Sequence, residues 1–242
     1  METSVPNTSE SDRYRPIAAP LHTVLLLAAE GLWAGMAIFG SDQLRAAANP
    51  NRMQLYSRTI LFEWMMFAIM ILGVRLHGSP LYTVLGERWR SLREVLRDIG
   101  IAIPFWMVST LVISMLGRHQ HASVPDRAVQ FLLPQSGLEI ALWIALSVTA
   151  GICEESLYRG YFQKQFIAVT KSVPLGILFS AAAFGAAHAY QGVRRAMLVG
   201  IAATMSGVLA HWRKSVRPGM IAHAWNDIFA GALASLLKIK VG

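Results

Sequence analysis

The chain of 242 residues contains a single cysteine, Cys153, and few charged side chains. One cysteine excludes an intrachain disulfide and a zinc site built from several cysteines. Charged residues make up 15% of the sequence, whereas soluble domains carry about 25%. The sequence also lacks internal repeats, a nucleic-acid-binding motif, and low-complexity tracts other than the alanine-rich stretch 181–189. These absences argue against a soluble globular protein and against nucleic acid as a partner.

Apolar residues are abundant instead. They make up 54% of the chain, and the mean hydropathy is +0.43. The formal net charge is +8, but the basic residues cluster between the apolar runs, where loops meet anionic lipid head groups. This pattern is typical of membrane topology. The sequence therefore predicts an all-α, polytopic transmembrane protein.

The apolar runs predict about seven spans in one helix bundle, within a range of roughly six to eight. A straight crossing needs about 20 residues at 1.5 Å per residue, so several of these spans are short or tilted. The first run is too long for a signal-peptide core and lacks a cleavage site. The predicted spans are 17–40, 60–74, 101–116, 138–163, 173–190, 196–212 and 220–237.

Two further segments complete the predicted organisation. In 81–99, the apolar residues Leu85, Trp89, Leu92 and Leu96 have spacings of four, three and four, which predicts one face of an amphipathic helix at the membrane interface. Residues 1–16 form a polar tail. We interpret 17–137 as N-terminal helices and 138–238 as a functional core, together in one domain.

Two adjacent carboxylates, Glu154 and Glu155, follow the apolar run 138–150. An ionised carboxylate near the bilayer centre costs about 2.5–3.5 kcal/mol, so it needs a partner, a cavity or water. Glu155 and Arg159 are four apart and share a helical face, while Glu154 lies about 100° round the helix. One carboxylate can then pair with the guanidinium, which leaves the other available for chemistry. The alternative is an ordinary ion pair at the wet end of a helix.

Two other spans carry polar clusters. Phe184 and His188 end a run of small residues, a composition that allows close helix packing. His223 and Asp227 are four apart, with Asn226 beside them. Each cluster alone could be a structural hydrogen-bonded group. Because buried polar groups must find partners, we expect all three clusters to share one cavity. Such an inventory suits the activation of water by a general base or by a metal ion.

The three clusters, in this order, resemble the CPBP intramembrane proteases, which include the type II CAAX prenyl endopeptidases and the bacteriocin-processing or Abi proteins. The family pattern has two adjacent Glu and an Arg four after the second, then Phe-x-x-x-His, then His-x-x-x-Asn or Asp. The resemblance covers 138–237, and the N-terminal half matches only in being hydrophobic. It implies an intramembrane endopeptidase.

The resemblance also implies roles for the matching residues. Glu154 would activate the attacking water with help from His188. Glu155 and Arg159 would orient the site, with Phe184 in a supporting position. These roles are expectations carried over from the family pattern, and each applies only to the residue that matches it.

At the last motif, the resemblance implies that His223 and Asp227 stabilise the oxyanion or bind the water. A carboxylate cannot donate a hydrogen bond to an oxyanion unless it is protonated. Asp227 would then hold the ring of His223 in place, which leaves Asn226 as a supporting donor. The family has Asn or Asp at the position of Asp227, so the His-x-x-x-Asn or Asp motif is complete in this sequence.

The same resemblance implies a set of possible cofactors and partners. Glu154, His188 and His223 could hold Zn²⁺ or another divalent metal in a His₂Glu site, as in a metalloprotease. They could also act without metal, with Glu as general base, and we favour that option. The expected partners are membrane lipids and a peptide or protein substrate, either prenylated or a leader peptide. We expect a multi-pass protein of the bacterial inner membrane.

Several alternatives remain open. A thiol protease using Cys153 is disfavoured because the neighbouring carboxylates oppose thiolate formation. A non-catalytic scaffold or bacteriocin-immunity protein of the same fold would carry the same motifs. A proton-coupled transporter would show two related halves, which the sequence lacks. Glu30 and Glu63, in the first two spans, are interpreted as satisfied helix-end carboxylates, with cavity contact as the minor alternative for Glu30.

Overall fold

The computed structural model describes residues 14–46, 50–118, 132–233 and 235. These residues form eight α-helices and no strand. The tail residues 1–13, residues 119–131 and most of 234–242 lie outside the described residues. The helices are α1 Pro20–Ala46, α2 Arg52–Leu76, α3 Tyr82–Leu85, α4 Leu92–Arg118, α5 Gly137–Thr170, α6 Val173–Ala187, α7 Val193–Arg213 and α8 Arg217–Ile228.

Within this range, five helices are long and apolar enough to cross a membrane: α1, α2, α4, α5 and α7. Large apolar side chains such as Leu61 (71% exposed) and Phe39 (84% exposed) face outward, as lipid-facing residues do. The prediction of a transmembrane helix bundle is confirmed. The predicted spans 173–190 and 220–237 correspond to the shorter helices α6 and α8, of 15 and 12 residues, the latter continued by a π-helical turn, Phe229–Leu233.

The segment 81–99 differs from the expected amphipathic helix. Only α3, a single turn, forms before Gly86, whose φ of +81° favours glycine and ends the helix. Trp89 lies in the non-helical stretch that follows, and its Nε1 donates to Asp98 Oδ2 at 2.8 Å. The helix α4 then runs without interruption through the predicted span 101–116. The four apolar residues therefore do not share one helical face.

The helix α5 is the centre of the bundle. Its side chains Tyr161 and Phe162 are fully buried. Glycines let neighbouring backbones approach closely: a Cβ on Gly151 would lie 2.7 Å from the Met220 carbonyl oxygen of α8. A Cβ on Gly185 of α6 would lie 2.7 Å from a carbonyl oxygen of α7. Small residues thus bring α5 and α8, and α6 and α7, into backbone contact.

A hydrogen-bonded chain, here called the anchor network, fixes α1 and α2 to α5. Gln165 Nε2 donates to Thr23 Oγ1 at 2.6 Å, and Thr23 Oγ1 lies 2.9 Å from the Tyr161 hydroxyl. His22 Nε2 lies 3.1 Å from the Ile69 carbonyl, which can only accept, so this nitrogen carries the proton. His22 Nδ1 then accepts from the Tyr161 hydroxyl at 2.7 Å.

Candidate active site

The first predicted cluster lies where α5 changes from α-helical to π-helical, over Glu155–Phe162. The backbone N–H of Gln163 donates to the Tyr158 carbonyl five residues earlier. The Ser180 hydroxyl of α6 also donates to that carbonyl, at 2.6 Å. π-Helical turns occur frequently at functional sites. The sequence predicted a continuous helix over these residues. The hydrogen bonds that Gln163 and Ser180 donate to the Tyr158 carbonyl stabilise the π-helical turn.

Glu155 and Arg159 form a buried ion pair within this turn. Arg159 Nε lies 3.4 Å from Glu155 Oε2, and the two side chains are 3% and 1% exposed. The guanidinium lies 4.2 Å from the centroid of the Phe184 ring, in cation–π contact. Gly219 of α8 is close on the other side, where a Cβ would lie 2.9 Å from Glu155 Oε2. Glu155 is therefore enclosed between Arg159 and Gly219.

His223 of α8 connects the acidic pair to the third cluster. Its Nδ1 lies 3.2 Å from Glu155 Oε1, and its Nε2 lies 3.6 Å from Glu154 Oε2 and 3.5 Å from Asp227 Oδ2. Ionised carboxylates can only accept hydrogen bonds. An imidazolium, which carries a proton on each nitrogen, is the form that these contacts stabilise. Three carboxyl groups from two helices thus surround one imidazole.

His188 follows the last residue of α6 and packs against Phe184. Its Nδ1 donates to the Phe184 carbonyl at 2.9 Å, which leaves the Nε2 lone pair available. The Phe184 ring centroid is 4.5 Å from that of His188 and 6.1 Å from that of His223. The imidazole in direct contact with Glu154 is that of His223. Phe184 therefore packs against both imidazole rings.

Asp227 and Asn226 are held by tryptophans that the sequence did not single out. Trp143 Nε1 of α5 donates to the Asp227 carbonyl at 2.8 Å, and Trp106 Nε1 of α4 donates to Asn226 Oδ1 at 3.3 Å. Asn226 Nδ2 donates to Asp227 Oδ1 at 3.2 Å. The side-chain amide of Asn226 is therefore directed at the Asp227 carboxylate. Both tryptophans lie in apolar runs, where no sequence signal separates them from packing residues.

Two carboxyl groups reach this region from the N-terminal helices. Glu30 of α1 accepts a hydrogen bond from the Tyr158 hydroxyl at 2.9 Å, and Tyr158 packs against Phe184 at 4.8 Å. Glu63 of α2 is 9% exposed and interacts electrostatically with Glu154. Glu30 has the partner expected of a satisfied carboxylate. Glu63 differs from that interpretation, because its Oε2 has no hydrogen-bond partner among the described residues.

The described residues do not form a metal site of three or more His, Cys, Asp and Glu side chains. Both ring nitrogens of His223 face carboxylate oxygens. A metal ion held by Glu154, His188 and His223 therefore stays a prediction.

Fold and site together are those of a multi-pass membrane protein with a buried polar cluster inside an apolar bundle. Residues 136–229 match the family model described as "Type II CAAX prenyl endopeptidase Rce1-like". The C-terminal helices are thus similar to the type II CAAX prenyl endopeptidases, and this similarity supports a peptidase of this general type. The matched range contains all three polar clusters and excludes α1 to α4. Searches of curated proteins and of solved structures found no significant match.

Proposed function

We propose that this protein is an intramembrane endopeptidase that hydrolyses a peptide bond at or near the membrane with water activated by Glu154. The observation that carries the proposal is the meeting of α5 and α8 at His223. Glu154 and Glu155 lie 3.6 and 3.2 Å from its two ring nitrogens, inside a bundle of apolar helices. Grouping acid–base side chains in this way has a high desolvation cost, which chemistry explains better than packing does.

The two adjacent glutamates differ in a way that supports different roles. The Glu155 side chain is 1% exposed and bound by Arg159 and His223. The Glu154 side chain is 19% exposed, and its Oε2 lies 3.6 Å from His223 Nε2. A general base needs a lone pair that water can reach. Glu154 meets this requirement, whereas Glu155 serves to orient His223.

The reaction can be written with these side chains alone. Glu154 takes a proton from water as the water oxygen bonds to the carbonyl carbon of the substrate. The carbonyl oxygen becomes an oxyanion, which the charged ring of His223 stabilises. The carbon–nitrogen bond then breaks, and the proton on Glu154 moves to the leaving nitrogen. His188, whose Nε2 lone pair is available, assists by holding the water.

We propose the substrate class and cellular setting from the family. The substrate is a membrane-associated peptide or protein, either prenylated near its C-terminus or a leader peptide. The apolar outer surface of the bundle lets such a substrate approach from the lipid. The setting is the bacterial inner membrane, with membrane lipids as the other partner and no nucleic acid.

The test is a cleavage assay on the full chain purified in detergent, with prenylated peptides and a panel of leader peptides. We expect cleavage by the wild type and a loss of about 10²–10⁴-fold in Glu154→Gln, the range for removing a general base. Glu139→Gln is the matched control, because Glu139 is partly exposed in the first turn of the same helix and Gln preserves its helix-capping contact. Chelator should leave activity unchanged. Wild-type cleavage that persists in Glu154→Gln would contradict the proposal.

A further inference from the structure

An open groove, here called the α4–α7 groove, lies between two of the helices that are long and apolar enough to cross a membrane. Its volume is about 510 Å³, and its lining includes Phe105 of α4 and a stripe along α7 that consists of Ile201, Met205, Val208 and Trp212. At 1.5 Å per residue, the stripe is about 16 Å long. This length is about half of the hydrocarbon core, which is about 30 Å thick. The groove therefore has the depth of one leaflet of the bilayer.

The lining of the groove suits a hydrocarbon chain rather than a peptide. Among the described residues that line it, the polar side chains are the Trp212 indole and Thr204, whose hydroxyl donates to the Gly200 carbonyl of the same helix at 3.0 Å. Val208 and Trp212 are 55% and 68% exposed, so the groove opens toward lipid. A peptide backbone placed here would lose its hydrogen bonds to water without replacement. An acyl chain has no such bonds to lose.

The end of the groove at Trp212 is basic. The Arg213 guanidinium carbon lies 5.6 Å from the centroid of the Trp212 ring, and Arg213 Nη2 lies 3.4 Å from Asp98 Oδ1. Arg97 Nε lies 3.5 Å from the same oxygen. Two guanidinium groups thus share one carboxylate, which leaves an excess of positive charge. The segments 87–98 and 213–217 carry seven basic and three acidic residues in total, so an anion complements this end.

We propose that the α4–α7 groove binds one anionic phospholipid of the surrounding bilayer, with its phosphate at Arg97 and Arg213 and one acyl chain along Phe105 and α7. Guanidinium groups bind phosphate in charge-assisted hydrogen bonds. A prenyl group carries no charge of its own, so it would leave the basic end without a partner. Phe105 precedes Trp106, whose Nε1 donates to Asn226, so the lipid packs against α4 beside the candidate active site. The inference goes beyond the proposed hydrolysis, and its test needs no cleavage.

The test is native mass spectrometry of the full chain in detergent, mixed with equal amounts of phosphatidylglycerol and phosphatidylcholine that carry the same acyl chains. We expect one bound phosphatidylglycerol, with about tenfold preference over phosphatidylcholine, the effect of a hydrogen bond to a charged group. Arg213→Gln should remove this preference, while Trp89 and Arg97 still bind Asp98 and maintain the fold. Arg75→Gln, the same change beside a second apolar groove on α2, is the control and should keep the preference.

A second variant tests the acyl chain. Val208→Trp fills the groove from an exposed position and leaves the arginines in place, so it should abolish lipid binding, whereas Leu61→Trp at an exposed position of α2 should not. A preference that persists in Arg213→Gln, binding that persists in Val208→Trp, or an equal loss in Arg75→Gln overturns the inference. Displacement of phosphatidylglycerol by inorganic phosphate also overturns it, by indicating an anion site without a chain. Displacement by a farnesylated peptide overturns it by indicating a substrate groove.

Discussion

The site and the anchor network are both polar, both cross between helices, and both lie in an apolar bundle, yet their hydrogen bonds differ. In the anchor network, the side-chain polar atoms of His22, Thr23, Tyr161 and Gln165 all have partners, and neutral groups suffice. In the site, oxygens of Glu63 and Glu154 lack hydrogen-bond partners among the described residues. The polar atoms of the anchor network make all their hydrogen bonds, as expected of a structural connection. The polar atoms of the site leave some hydrogen bonds unmade, as expected of groups that carry out chemistry.

The largest effect is expected at Arg159, where the site also needs a structural ion pair. Arg159→Met leaves the buried Glu155 carboxylate with His223 alone as its cationic partner, and removing one partner of a buried pair costs about 3–5 kcal/mol. Thermal unfolding in detergent should show a large loss of stability, and cleavage should disappear. Arg90→Met, at an exposed pair with Glu87, is the control. Equal unfolding temperatures for the two variants would argue against a structural role for the buried pair.

The anchor network should respond in stability but not in chemistry. Tyr161→Phe removes the hydroxyl that joins Thr23 and His22, and leaving buried polar groups unpaired costs about 1–3 kcal/mol. The unfolding midpoint should fall, while kcat per folded molecule stays at the wild-type value. A fall in kcat without a change in stability would contradict the distinction between the two polar regions.

Gly219 allows a test of the opposite result, in which kcat falls while stability is kept. A Cβ at this position would approach Glu155 Oε2 to 2.9 Å and displace a carboxylate that Arg159 and His223 hold. Gly219→Ala should lower kcat about tenfold, or about 1.4 kcal/mol in the barrier, with stability unchanged or slightly raised because Ala favours helix. Gly31→Ala, at a helical glycine with open space around it, should leave kcat unchanged.

The smallest effect is expected at the edge of the site. Trp106→Phe removes the donor to Asn226 Oδ1, an exposed contact at 3.3 Å. A hydrogen bond contributes about 0.5–1.5 kcal/mol and an exposed one lies at the low end of that range, so kcat should fall only about two- to threefold. A loss comparable to that of Glu154→Gln would mean that Asn226 contributes directly to catalysis.

Local spacing predicted the contacts that depend on one helix. Glu155 and Arg159 are four apart, and the ion pair forms although the turn is π-helical rather than α-helical. Side chains at this separation lie on one face in either geometry. The π-helical turn itself depends on Ser180 of another helix, so no pattern within α5 indicates it. Likewise, the end of α3 depends on Gly86, where a Cβ would lie 2.6 Å from Ser215 Cβ.

The amino-acid sequence alone determined that the chain is a helical membrane protein and that its polar residues form three separate clusters. Apolar runs and residue spacings are properties of consecutive residues, so they are readable without coordinates. Only the tertiary structure decided that Glu154 contacts His223 directly, that Phe184 packs against both His188 and His223, and that Glu63 is buried with its Oε2 unpaired among the described residues. These contacts join residues far apart in the chain, and helix packing sets their distances.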